Sequence, residues 1–137
     1  MVLVAILMAG CGSKASRPPL IKSTVNGKPM EGLQGAYCWD NGIAGSICLD
    51  PMEPSFDQSA SLHVSTPIQL QLDKPLPNEL ILSLSKEVFG ETIVSETVPV
   101  SNLVKWSPAV DAGVYILTVN ATWKQGDVSY WFSITIE

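Results

Sequence analysis

From Ser61 to the C-terminus, apolar and polar residues alternate with a period of two, the repeat of a half-buried strand and not of a helix. Ile68, Leu70 and Leu72 alternate with Gln69 and Gln71, and Leu80, Leu82 and Leu84 alternate with Ile81, Ser83 and Ser85. Pro75 and Pro77 separate these two runs, as turn residues do, and Glu91 to Val100 forms a further β-branched run ended by Pro99 and Ser101-Asn102. The last two runs are the longest. Tyr115, Leu117, Val119, Ala121 and Trp123 share one face, and Val128, Tyr130, Phe132, Ile134 and Ile136 share one face of the next strand. A connection through Lys124-Gln125-Gly126-Asp127 sets Trp123 opposite Val128, Val119 opposite Phe132 and Leu117 opposite Ile134, so that both apolar faces turn the same way. The segment from Val64 to Glu137 thus supplies about six strands, and Tyr37 to Asp50 with the preceding Val25-Asn26-Gly27-Lys28 hairpin supplies the rest. No stretch carries a sustained helical pattern, and the reading is all-β and antiparallel.

Ahead of the final hairpin stands Asp111-Ala112-Gly113-Val114-Tyr115, which resembles the Asp-x-Gly-x-Tyr corner before strand F of immunoglobulin-like domains. The resemblance implies a β-sandwich of about seven to nine strands, with Asp111 and Gly113 shaping the corner and the Tyr115 hydroxyl tying the chain crossing to nearby backbone. Leu117 occupies the place where antibody-type domains carry a cysteine. Apolar packing must therefore join the sheets, each aliphatic or phenyl side chain contributing about 1.5–3 kcal/mol on full burial.

The N-terminus has a different pattern. Val2 to Ala9 is uninterruptedly apolar, too short for a bilayer span of about 20 residues and suited to a signal-peptide core of roughly 7–15. It runs into Leu7-Met8-Ala9-Gly10-Cys11, which resembles the lipobox of bacterial lipoproteins, with Met8 at the usual leucine position. The resemblance implies that residues 1–10 are a signal peptide and that Cys11 carries lipid. Small side chains let the peptidase reach the backbone before Cys11, the thiol takes the diacylglycerol, and each buried methylene adds about 0.8 kcal/mol of attachment. Residues 11–19, including Gly12-Ser13-Lys14-Ala15-Ser16-Arg17-Pro18-Pro19, read as a tether and residues 20–137 as the sandwich domain. The expected location is the extracytoplasmic face of the cell membrane. Residue 12 is Gly, not the Asp that retains some lipoproteins at an inner membrane, and the lack of Lys or Arg before the apolar core predicts a start codon further upstream.

With Cys11 assigned to lipid, Cys38 and Cys48 remain as an even pair in an oxidising compartment and are expected to form a disulfide. The ring of about ten residues contains the turn formers Asn41-Gly42 and Gly45-Ser46 and would stabilise the fold by somewhat under 3 kcal/mol. Neither metal nor cofactor is expected: His63 is the single histidine, no CxxC spacing occurs, and no glycine-rich phosphate loop is present. The 137 residues include 8 Lys+Arg against 13 Asp+Glu, a net charge of −5 without runs, which makes nucleic acid a poor partner.

The chain as a whole resembles the small uncharacterised lipoproteins of Gram-positive spore-forming bacteria. The likeness rests on the lipobox, the Val25-Asn26-Gly27-Lys28 turn, Gly35-Ala36-Tyr37-Cys38-Trp39 with its later Cys48, and the segment from Gly113-Val114-Tyr115 to Gly126-Asp127-Val128-Ser129-Tyr130. It implies architecture and no particular activity. Two functions are weighed. In the first, the protein is a non-enzymatic binding or accessory module for an envelope protein or polymer. Trp131 has outward strand parity beside Asn120, and Trp39 is either packed on the disulfide or presented to a ligand, whereas Trp123 has inward parity. In the second, it is an envelope hydrolase using two of Asp40, Asp50, Glu53 and Asp57. Asp40-Asn41-Gly42 and Asp50-Pro51 read first as turns, and His63 reads as a solvent-facing strand residue without triad partners. The first function is preferred.

Overall fold

The computed structural model describes residues 18–19, 21–25, 28–40, 45–49, 55–56 and 59–137, and the account below concerns these. They contain eleven strands and no helix: β1 (Lys22–Val25), β2 (Lys28–Glu31), β3 (Leu33–Asp40), β4 (Ser46–Leu49), β5 (Ser59–Leu62), β6 (Ile68–Gln71), β7 (Glu79–Ser85), β8 (Thr92–Val98), β9 (Leu103–Trp106), β10 (Gly113–Trp123) and β11 (Gly126–Ile136). The expected seven to nine strands fall short because four-residue strands early in the chain carry too few alternations to be counted from sequence. Residues 1–10, expected to be a signal peptide, and Cys11 lie outside the described residues.

Two sheets form. The larger has the order β4-β3-β11-β10-β7-β8, with β5 lying against β11 beyond β3, and the smaller has the order β2-β1-β6-β9. All pairs are antiparallel except β5 with β11, where Ser59 to Leu62 run parallel to Ser133 to Ile136. The inward residues of both sheets make one apolar cluster. Leu80, Leu82, Leu84, Leu117, Val119, Phe132 and Ile134 come to it from the large sheet, and Ile68, Leu70, Val104 and Trp106 from the small one. Trp106 Nε1–H donates to Glu96 Oε2 at 2.7 Å, bonding the β9 edge of the small sheet to the β8 edge of the large one.

The β10–β11 hairpin is paired along its whole length, but its register differs from the sequence-based expectation. Trp123 pairs with Gly126, Val119 with Tyr130 and Leu117 with Phe132, a shift of two residues. The connection is the two-residue turn Lys124-Gln125, not a four-residue loop. A shift of two keeps every side chain on its expected face, since side-chain direction repeats every second residue. Glycine at 126 is required by close approach: φ is 156° and a Cβ there would collide with the Cys38 carbonyl. The turn is held to β3 from the other side as well, through the Asp40 amide donating to the Gln125 carbonyl at 2.8 Å.

At the start of β10 the Tyr115 hydroxyl donates to the Asp111 carbonyl at 2.7 Å, and the Lys86 ammonium lies 3.9 Å from the Tyr115 ring centroid. Cys38 and Cys48 are directly opposed on β3 and β4 and form a disulfide. Pro18 is buried, and the Pro19 carbonyl accepts a hydrogen bond from the Tyr130 hydroxyl at the core. This hydrogen bond ties Pro19 to β11.

Tyr130 is fully buried, and burial pushes its hydroxyl above the ordinary phenol value of 10.0, with a hydrogen bond to the Gln34 side chain acting in the opposite direction. The folded state therefore holds the phenol proton more tightly than the unfolded chain does. Tyr130 stabilises the fold fully below about pH 10 and progressively less as the pH rises beyond it, at about 1.4 kcal/mol per pH unit. Urea denaturation across this alkaline range should show Tyr130→Phe losing stability less steeply than wild type. Parallel losses in the two proteins would show that Tyr130 ionises freely in the native state.

Candidate functional site

The strand register lays out the outer face of the large sheet row by row. Thr122 pairs with Asp127, Asp127 with Cys38, and Cys38 with Cys48, so one row crosses β10, β11, β3 and β4. In the next row Asn120 pairs with Ser129. Opposite Ser129 the β3 ladder slips: Val128 pairs with Tyr37 but Tyr130 pairs with Gln34, so that two residues, Gly35 and Ala36, face one. The small side chains at this bulge and the twist of the strands leave a groove of about 410 Å³ lined by Ala36, the Cys38–Cys48 disulfide, Asn120, Thr122, Asp127 and Ser129.

The groove sets hydrogen-bonding side chains beside apolar ones, Leu49 and Val128 among them, on paired strands. Ser129 Oγ donates to Asn120 Oδ1 at 2.6 Å, which fixes the amide orientation and leaves the NH2 end of Asn120 as the donor side. Thr122 adds a hydroxyl and exposed Asp127 a carboxylate. The disulfide crosslinks the two strands on one flank, so this part of the floor is ordered before any ligand arrives. Such a site can bind a polar ligand by hydrogen bonds.

The structure therefore brings Asn120 together with Cys38 and Cys48, and it removes both tryptophans from the expected recognition set. Trp39 is only 2% exposed and stands edge-on to Trp123, with ring centroids 5.7 Å apart. Its neighbour Cys38 takes the outer face, so alternation sends the indole into the core. Trp131 has the expected outward direction but is only 6% exposed, and it pairs with Thr118, not with Asn120. Two features cover it. Phe89, on the β7–β8 connection, packs edge-on against the indole at 5.5 Å, and Gly35 leaves room for the ring, where a Cβ would stand 2.7 Å from it. Phe89 itself is 67% exposed and holds φ at 62°, a backbone conformation that costs a bulky residue about 1–2 kcal/mol.

Thr122 flanks Asn120 as strand parity implies, whereas Asp127 and Ser129 were not anticipated as site residues. Their signal is their outward parity on β11 opposite Thr122 and Asn120, legible only once the two-residue turn fixes the register. Of the carboxylates weighed for hydrolysis, Asp40 is exposed at the end of β3, and Asp50, Glu53 and Asp57 lie outside the described residues. His63 is exposed just after β5. Among the described residues no three His, Cys, Asp or Glu side chains converge as metal ligands would. No known protein family matches the chain, and no curated protein matches it in sequence.

The burial of Trp131 sets its expected mutational cost. Trp131→Ala should destabilise the domain by about 3–5 kcal/mol, the range for deleting a large buried aromatic, as measured by the denaturation midpoint and slope. A change within about 0.5 kcal/mol, usual for surface positions, would place the indole in solvent instead.

Proposed function

We propose that this protein is a lipid-anchored, extracytoplasmic binding module, attached to the cell membrane through Cys11 and presenting the Asn120 groove to an envelope protein or polymer. The observation that carries this reading is the groove: hydrogen-bonding side chains of Asn120, Thr122, Asp127 and Ser129 set on fully paired strands and flanked by a disulfide. The disulfide fits an oxidising compartment, which agrees with export. The anchor itself rests on Leu7-Met8-Ala9-Gly10-Cys11. Binding without catalysis is favoured because the groove offers donors and acceptors but pairs its single carboxylate, Asp127, with neither an imidazole nor a second acid among its lining residues.

The same proposal includes an immunoglobulin-like sandwich. The bond from Tyr115 to the Asp111 carbonyl supports this assignment, since it ties the chain just before a long central strand as the corner tyrosine of that architecture does. Leu117, buried at 0% exposure where antibody-type domains place a cysteine, supports apolar packing as the substitute for an inter-sheet bridge.

Protein recovered from the membrane fraction of an expressing Gram-positive cell tests both halves. Intact mass should show residues 1–10 removed and a diacylglyceryl group on Cys11; an unmodified Cys11 would refute the anchor. In co-sedimentation with purified cell envelopes, Asn120→Ala should weaken retention about tenfold, the effect of losing roughly 1.4 kcal/mol of hydrogen bonding. Retention equal to wild type would refute the groove as the binding site.

A further inference from the structure

Charge divides the two sheets. Among the described residues the strands of the large sheet contain no Lys or Arg, and they carry Asp40, Glu79, Glu96 and Asp127. The strands of the small sheet contain Lys22, Lys28 and Lys105 against one acid, Glu31, which stands opposite Lys22 in the β1–β2 ladder. In the small sheet the row Met30-Ser23-Leu70-Val104 is turned to the core, as the burial of Met30, Leu70 and Val104 shows. The rows on either side of it, Glu31-Lys22-Gln71-Leu103 and the row that includes Pro29-Thr24 and Gln69-Lys105, are therefore the outer ones. Leu103 and Lys105 are exposed there, and Lys28 is exposed at the hairpin end of β2. Just beyond β6 the exposed Asp73 and Lys74 offset each other. On the large sheet the outer row Glu79-Thr122-Asp127 carries two exposed carboxylates, and exposed Asp40 ends β3.

This polarity is joined to the N-terminus of the domain. Residues 1–30 hold Lys14, Arg17, Lys22 and Lys28 and no acid, whereas all 13 Asp+Glu fall in residues 31–137. Pro18 is buried and the Pro19 carbonyl is held by Tyr130, which leaves the six residues Gly12-Ser13-Lys14-Ala15-Ser16-Arg17 between Cys11 and the domain. From Cys11 to Pro18 the chain spans at most about 25 Å. A domain held that close to a bilayer lies within a few screening lengths of its surface, since the field of an anionic leaflet decays over about 8 Å at physiological salt. The net charge of −5 is repelled as a whole, so the field acts by orientation, drawing the basic side in and pushing the carboxylates out. Apolar exposure does not choose between the sheets, because Ile93 on β8 and Leu103 on β9 are both 49% exposed; charge does. We propose that the outer face of the small sheet, with Lys28, Lys105 and Leu103, rests on anionic lipid headgroups, and that the Asn120 groove on the opposite sheet is thereby turned away from the bilayer. This inference rests on the lipid anchor at Cys11 proposed above and adds to it the side of the domain that meets the membrane.

The lipidated protein, reconstituted into vesicles of phosphatidylcholine alone and of phosphatidylcholine with phosphatidylglycerol, tests the orientation at about 0.15 M salt. Flotation reports attachment, and amine acetylation read residue by residue by peptide mass spectrometry reports contact. Acetylation of Lys28 and Lys105 should be slowed at least about fivefold by phosphatidylglycerol, the effect of one cation held near an anionic surface, while Lys124 on the β10–β11 turn reacts alike on both vesicles. Lys28→Glu, a change at an exposed position, should keep the wild-type denaturation midpoint and remove most of the protection of Lys105. Protein that floats with both vesicles and is acetylated alike on them would overturn this inference and leave the anchor standing. Protection of Lys124 in place of Lys28 and Lys105 would overturn it by putting the large sheet on the membrane, and undiminished protection of Lys105 in Lys28→Glu would overturn charge as its cause. Protein that floats with neither vesicle would remove the anchor, and this inference with it.

Discussion

The unbroken ladder between β10 and β11 is the constraint on which the other elements depend. Each strand is eleven residues long, twice the usual length, and every position from Gly113 to Trp123 has a partner on β11. The inward faces of the two strands supply ten buried side chains, and every other strand of the large sheet attaches to one or other flank: β7 and then β8 to β10, and β5 and β3, with β4 beyond it, to β11. The two-residue turn at Lys124-Gln125 sets the ladder, and Gly126 permits it, since the β3 backbone passes too close at Cys38 for any side chain there. An error at this one turn would move the partners of β3, β5 and β7 together.

How far the sequence discloses this fold follows from what a period-two pattern encodes. It encodes face, and the inward assignments of Leu80, Leu82, Leu84, Leu117, Val119, Phe132 and Ile134 agree with their burial. It does not encode register, because a slip of two residues leaves the pattern intact; the turn geometry decides, and that is why the partner of Asn120 is Ser129 and not Trp131. Nor does it encode cover. Trp131 points outward as parity requires, yet Phe89 lies over it from a connection with no strand pattern of its own. The parallel contact between β5 and β11 was hidden for another reason: Ser59-Ala60-Ser61-Leu62 is short and has only two inward residues to betray it.

The outer face of the large sheet shows the converse of the core. Ser83, Thr118, Asn120, Thr122, Ser129 and Ser133 are only half-buried there, so this face carries hydroxyls and an amide on a backbone whose own hydrogen bonds are already made. Such a layer adds little to stability, and its residue types are free to serve recognition. The proposed binding groove occupies the end of this layer nearest the disulfide, while the Trp131–Phe89 contact closes the middle of the face.

Native-state hydrogen exchange tests the central claim that the β10–β11 ladder is the last structure to open. The slowest amides should lie in β10, β11 and the adjoining part of β7, with opening free energies equal to that of global unfolding, while β2 and β4 exchange through smaller local openings. Slowest exchange in the small sheet, or β10 and β11 amides opening well below the global free energy, would contradict the account.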